Sequence, residues 1–123
     1  MNNHIDVPIL SIAIPTFNGA KTICALLDRL LPQITDDVEL IISDNASTDD
    51  TENIIKSYNN SGIISYHRND RNIGPDANFF QCMQFARGHF ILLLSDDDIL
   101  IENKLIHIVE FLKKKYGFIF GIS

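Results

Sequence analysis

Phe90-Ile91-Leu92-Leu93-Leu94-Ser95-Asp96-Asp97-Asp98 is the stretch on which the reading of this chain turns. An unbroken apolar run of this length has no polar face, so it reads as a strand buried on both sides in a parallel sheet covered by helices. In open α/β sheets, ligands bind outside the carboxyl ends of the strands, and the three aspartates stand there. Adjacent carboxylates repel one another by about 1 kcal/mol per pair at about 4 Å in water, and by several times more near a protein surface. A hard divalent cation held by oxygen ligands offsets that repulsion directly. The alternative is a solvated turn in which one aspartate caps the next helix, for which one would suffice.

Strands and helices alternate on either side of this stretch. Ile9 to Ile14 is a short β-branched strand that Pro15 is expected to stop. Gly19 to Pro32 follows, with Ile23, Leu26, Leu27, Leu30 and Leu31 apolar at helical spacing. Val38 to Ser43 is a second buried strand, and Ser47-Thr48-Asp49-Asp50 supplies capping candidates for a helix carrying Ile54, Ile55 and Tyr58. Ile63 to His67 reads as a third strand. Asp76 reads as the N-cap of a helix running through Phe79, Met83 and Ala86, which Gly88 ends. Beyond the aspartates, Ile101, Leu105, Ile108, Val109 and Leu112 mark a helix whose last turn holds Lys113, Lys114 and Lys115, where cations complement the dipole. Phe118 to Ile122 is the expected fifth strand. This alternation predicts an α/β fold: a mainly parallel sheet with right-handed crossovers and helices on both faces.

A chain of 123 residues is of single-domain size and large enough to bury a core. Its net charge of -6 argues against a general nucleic-acid or anionic-membrane binder, which would need a basic face. The two cysteines, Cys24 and Cys82, fall among apolar neighbours in expected helices and read as small buried hydrophobes kept reduced. Met1 to Asp6 lacks the basic start and apolar stretch of a secretion signal, and no apolar run reaches membrane-spanning length. The chain therefore reads as cytoplasmic.

A parallel sheet gathers on one rim the residues that succeed each strand. There stand Pro15-Thr16-Phe17-Asn18, Asp44-Asn45, the loop from His67 to Gly74, and the aspartates. Phe17 suits a platform for a flat base or plain packing against the first helix. Asp44 could accept hydrogen bonds from a base or organise the turn before Ser47. Arg68 and Arg71 could hold phosphate oxygens in a fork, or solvate a loop. Asn72 and Gly74 suit a tight turn.

These segments resemble the nucleotide-sugar half of family-2 glycosyltransferases, which have the GT-A fold, a Rossmann-like three-layer α/β/α. Pro15-Thr16-Phe17-Asn18 is similar to the family's opening motif, and Asp44 to Thr51 to its second. Asn72-Ile73-Gly74, Asn78 and Ala86-Arg87-Gly88 resemble the segment leading to the metal motif, and Ser95-Asp96-Asp97-Asp98 stands where the family carries its DXD-type acids. The resemblance implies that Thr16 and Phe17, with Pro15 and Asn18 beside them, cradle the base while Asp44 bonds its ring edge. It also places Asn72, Gly74 and Asn78 around the nucleotide, where the residue reading adds Arg71 for its phosphates, and Asp96 on the ribose or sugar. Asp97 or Asp98 would hold Mg²⁺ or Mn²⁺ on the diphosphate. Many members carry Asp-x-Asp-Asp here, so Ser95 takes the place of an acid, and Phe17 stands where tyrosine is common.

The implied function is inverting transfer from a nucleoside-diphosphate sugar, with a uridine nucleotide favoured, to a glycan or lipid-linked acceptor, the latter at the inner face of the membrane. The family's general base lies in the second half of its domain, so residues 1–123 are expected to be the donor-binding half, with the acceptor half absent. An edge left open by that truncation is expected to favour self-association. A non-catalytic or vestigial nucleotide-binding remnant is the main competing reading. A response-regulator receiver would need acids after the first strand and a lysine after the fifth; Pro15-Thr16 and Ser123 stand there instead. A dinucleotide-binding oxidoreductase would need a glycine-rich first turn, and only Gly19 is present.

Overall fold

In the computed structural model the described residues are 7–116. Four strands, β1 (Leu10–Thr16), β2 (Val38–Asp44), β3 (Ile64–Arg68) and β4 (Phe90–Leu93), form one parallel sheet in the order β3-β2-β1-β4. The helices are α1 (Ile23–Leu30), α2 (Thr51–Tyr58), α3 (Pro75–Gln84) and α4 (Lys104–Tyr116), with a short 3₁₀ turn at Leu31–Gln33. The expected fifth strand, Phe118 to Ile122, lies outside the described residues.

Side chains alternate across a strand, and the two faces of this sheet are filled unequally. Leu10, Ile12 and Ile14 of β1, with Leu40 and Ile42 of β2 and Ile64 of β3, meet Leu26, Leu27 and Leu30 of α1, Ile55 of α2, and Leu105 and Val109 of α4 in one large core. On the opposite face Ala13 and Ile41 pack against Cys82 of α3, with Phe85 and Ala86 at the border. Ala13 of β1 and Ser43 of β2 are the small residues under α3, the latter bonded to Asn78 of that helix.

Three local expectations are corrected. First, Pro15 does not stop β1: the strand continues to Thr16, with Pro15 opposite Ser43. Ala13 turns its carbonyl towards β4, accepting the Leu94 N–H at 3.0 Å. Pro15, two residues on, faces the same side after β4 has ended at Leu93, so its missing N–H breaks no ladder bond. Second, β4 is not buried on both faces, because Ile91 and Leu93 are 44% and 39% exposed. They point to the α3 side, and α3 lies over β1 and β2 instead. Third, Asp76 is not the N-cap of α3 but sits inside its first turn behind Gly74 and Pro75. At α2 Asp49, one of the expected capping candidates, accepts from the Thr51 N–H (3.0 Å) and hydroxyl (2.5 Å) one residue before the cap position.

Candidate functional site

The carboxyl ends of the strands converge on a cavity of about 710 Å³. From β1 come Pro15 and Thr16, followed by Phe17; Asn45 follows β2; Asn72 comes from the loop before α3. The first turns of α3 supply Pro75, Asp76, Asn78, Phe79 and Phe80. Its walls are thus aromatic and aliphatic, with amides at intervals. Such a lining suits a flat, partly polar ligand that stacks along its face and is read at its edge.

An amide lattice sets the shape of this cavity. Asn45 Nδ2 donates to Asn72 Oδ1 (2.8 Å) and the Gly74 carbonyl (3.2 Å), while its Oδ1 accepts from Asn69 Nδ2 (3.1 Å) and the Ile73 N–H (2.9 Å). Ser43 Oγ donates to Asn78 Oδ1 (2.8 Å), and Asn78 Nδ2 returns a bond to the Ser43 carbonyl (2.9 Å). Gln81 Nε2 reaches Asn69 Oδ1 at 2.6 Å. Gly74, at φ 91°, supplies the left-handed turn that brings the loop into α3. The loop is therefore tied both to β2 and to α3, which limits the ordering that a ligand would have to impose.

Asp44 stands behind the cavity wall and is fully buried. Its Oδ1 accepts from the Ser47 N–H (3.0 Å) and hydroxyl (2.6 Å), and its Oδ2 from the Tyr66 hydroxyl (2.6 Å). Burial, and then the bond to Asp44, push the Tyr66 phenol far above its ordinary value. Asn18, at φ 53°, turns its side chain away towards the α2 approach, where Oδ1 accepts from the N–H groups of Thr48 (2.8 Å) and Asp49 (3.2 Å). Arg68 is committed to the Ser47 carbonyl (2.9 Å) and to Glu52 (3.5 Å), whereas Arg71 is exposed on the loop.

The aspartates follow β4 in a tight turn closed by the Asp98 N–H on the Ser95 carbonyl at 3.0 Å. Each has one oxygen engaged. Thr16 Oγ1 donates to Asp96 Oδ2 (2.5 Å), Ser95 Oγ to Asp97 Oδ1 (2.6 Å), and the Ser95 N–H to Asp98 Oδ2 (2.7 Å). Asp97 and Asp98 are exposed, and Asp96 is half-buried against the cavity's own Thr16. Among the described residues, no group of three or more His, Cys, Asp or Glu side chains is arranged to hold a metal ion. Ser95 organises Asp97 and Asp98 by these hydrogen bonds.

Of the residues singled out from the sequence, Pro15, Thr16, Phe17, Asn72 and Asn78 line one cavity, and Asp96 joins it through Thr16. Asn18, Asp44, Arg71 and Gly74 are not in its wall. Asn45 stood on the expected rim without a role of its own, and sequence reasoning missed Pro75, Asp76, Phe79 and Phe80 as lining residues. Phe80 carried a signal: it falls off the apolar stripe of Phe79, Met83 and Ala86, and it is 58% exposed with its ring edge-on to Phe79 at 5.2 Å.

The family model described as Glycosyl transferase family 2 matches residues 11–123. Abequosyltransferase RfbV of Salmonella typhimurium is 38% identical over 101 residues, 79% of this chain and 30% of that protein. The GalNAc(5)-diNAcBac-PP-undecaprenol beta-1,3-glucosyltransferase of Campylobacter jejuni is 30% identical over 117 residues, 94% of this chain and 38% of its own length. The chain thus spans 30% to 38% of the length of these two relatives. Among solved structures, S. aureus TarS 1-349 in complex with UDP-GlcNAc superposes with a TM-score of 0.75 at 28% identity, covering 85% of this chain and 31% of that one. The mannosyltransferase PcManGT from Pyrobaculum calidifontis, with a TM-score of 0.75 at 21% identity over 88% of this chain and 33% of its own, shares the fold.

Proposed function

Because the chain belongs to glycosyl transferase family 2, we propose that it is the donor-binding half of an enzyme that takes a sugar from a nucleoside diphosphate and passes it to a glycan or lipid-linked acceptor. The fold is the expected GT-A type, a parallel sheet between helices. One observation carries the reading: the three acids after β4 are joined to the cavity at the ends of β1 and β2 by the Thr16–Asp96 hydrogen bond. A ligand with a stacking base at one end and a diphosphate at the other matches that pairing of an aromatic cavity with acids. The UDP-GlcNAc complex of TarS and the lipid-linked acceptor named for the C. jejuni relative support it.

In this reading Phe17 and Pro15 bear on the base, Asn72 and Asn78 bound it, and Asp96 meets the ribose or the sugar. Arg71, exposed on the loop that carries Asn72, is a cation for a phosphate. Asp44, Asn18 and Gly74 act one layer back by holding the turns that present these groups. Direct contact of Asp44 with a base would require release of Tyr66 or Ser47.

The donor set suits Mg²⁺ or Mn²⁺. Asp97 and Asp98 are exposed hard-oxygen ligands, and such cations are commonly held by one or two carboxylates together with substrate phosphates. When bound, the cation would neutralise charge developing on the departing diphosphate. The protein's own part is to hold the nucleotide rigidly and to exclude water from its base. No residue among 7–116 is assigned as the general base.

Calorimetric titration with UDP in the presence of Mn²⁺, and again with a chelator, tests the proposal. Metal-dependent binding is expected, with Asp97→Ala or Asp98→Ala weakening it by roughly tenfold, about 1.4 kcal/mol, and leaving the unfolding transition in place. A folded chain that binds no nucleotide would favour the vestigial reading. Metal-dependent affinity unchanged in both variants would remove the metal assignment.

A further inference from the structure

Asp96 sits beyond the last ladder contact between its strand and β1, because that pairing ends at Ala13 opposite Leu93. The sheet therefore does not itself hold the acid. Thr16 does: at the end of β1 and only 3% exposed, it donates its hydroxyl to Asp96 Oδ2 at 2.5 Å. The space for this contact comes from Gly19. A Cβ there would lie 2.6 Å from Asp96 Oδ2, 2.7 Å from Thr16 Oγ1 and 3.0 Å from Asp96 Cγ. The φ of Gly19 lies outside the left-handed region, so what glycine supplies here is room and not an unusual backbone angle.

We propose that Thr16 is a positioning residue for Asp96, with Gly19 as the gap that lets the two meet. The hydroxyl fixes one carboxylate oxygen and turns the other towards the donor, so the side chain is ordered before the ligand arrives. Without the hydroxyl, or with a methyl group in the gap, the carboxylate swings free and its ordering falls on the binding step. This inference rests on the donor-site reading above. It differs from a direct role for Thr16 against the base, in that Thr16 then matters only while Asp96 is present.

That difference makes a double-mutant cycle the test. Affinities for UDP and for the donor UDP-GlcNAc, each with Mn²⁺, are measured for the wild type, Thr16→Val, Thr16→Ser, Gly19→Ala, Asp96→Ala and the Thr16→Val/Asp96→Ala pair, so that a contact to the ribose or to the sugar is read. The same single and double variants of Thr16 and Asp96 are unfolded in urea without ligand. Thr16→Val and Gly19→Ala are each expected to weaken binding by about tenfold, and Thr16→Ser to recover it to within about threefold. In the Asp96→Ala background Thr16→Val is expected to change affinity by less than about twofold. Equal losses from Thr16→Val in both backgrounds would overturn the proposal, as would wild-type affinity in both Thr16→Val and Gly19→Ala. If the wild type binds none of UDP, CDP, GDP and dTDP, the donor-site reading fails separately. The ligand-free cycle then judges the contact: non-additive unfolding energies support it, and additive ones overturn it.

Discussion

Glu39 joins three segments of the chain through one carboxylate. Its Oε2 accepts from Ser11 Oγ (2.5 Å) and the Arg87 N–H (2.6 Å), and its Oε1 from Arg87 Nε (3.1 Å). Burial raises its pKa, but the bonds from Ser11 and Arg87 outweigh that and hold it below the usual 4.5. A carboxyl depressed in the folded state stabilises the fold above its unfolded value, and the contribution is lost as pH falls through the folded one. Urea unfolding between neutral and acid pH should therefore show a loss of stability below about pH 4.5 that Glu39→Gln makes shallower, while lowering stability at neutral pH by about 1 kcal/mol. Asp49, lowered from 3.8 by its bonds to Thr51 and Ala20 against a desolvation effect that raises it, keeps part of the acid limb in that variant. An unchanged limb would mean that Glu39 titrates alike in both states. At this scale the rim residues were legible where their type suited the place: Pro15, Thr16 and Phe17 do line the cavity. Asp44 was not. An acid after a strand invites a ligand-facing reading, but its burial is decided by the hydroxyls of Ser47 and Tyr66, the latter 22 residues away.

Gly88 shows how an element boundary can be fixed by a neighbour. It reads as a helix stop, yet α3 has already ended at Gln84. What Gly88 allows is the approach of its own backbone to β1: its N–H donates to Ser11 Oγ at 2.8 Å, and a Cβ would fall 2.6 Å from that oxygen and 2.9 Å from the Ser11 nitrogen. Because backbone cannot retreat as a side-chain tip can, Gly88→Ala is expected to destabilise the chain by about 2 kcal/mol in urea unfolding. A variant as stable as the wild type would show that the junction yields. Periodicity made the helices and strands legible, since each needs one continuous apolar face. It could not reveal which strand lacks a covering helix: Leu92 is partly buried against the main core while Ile91 and Leu93 on the same strand remain open, because α3 crosses elsewhere. Accordingly Leu92→Ala should cost about 3 kcal/mol and Ile91→Thr less than about 1 kcal/mol, and equal losses would contradict the asymmetry of the two faces.

For the whole molecule, alternating strands and helices implied a parallel sheet with its loops at one rim, and that is the sheet observed. The strand order β3-β2-β1-β4 places β1 at the centre, between the two strands whose following turns carry Asn45 and the aspartates. No local pattern encodes that order; it comes from where each crossover helix finds room, and the cavity follows from it. One residue under α3 makes the arrangement observable in solution. Cys82 is fully buried against Ala13 and Ile41, and burial, opposed in part by backbone hydrogen bonds, pushes its thiol up to about 11. At neutral pH it stays protonated and shielded, so a thiol reagent can reach it only when α3 lifts from the sheet. With half-buried Cys24 replaced by serine, the alkylation rate of Cys82 becomes an intrinsic clock for that opening. The same helix supplies Asp76, Asn78, Phe79 and Phe80 to the cavity wall, so any occupant gripped between α3 and β1 should slow the clock without a label having been added.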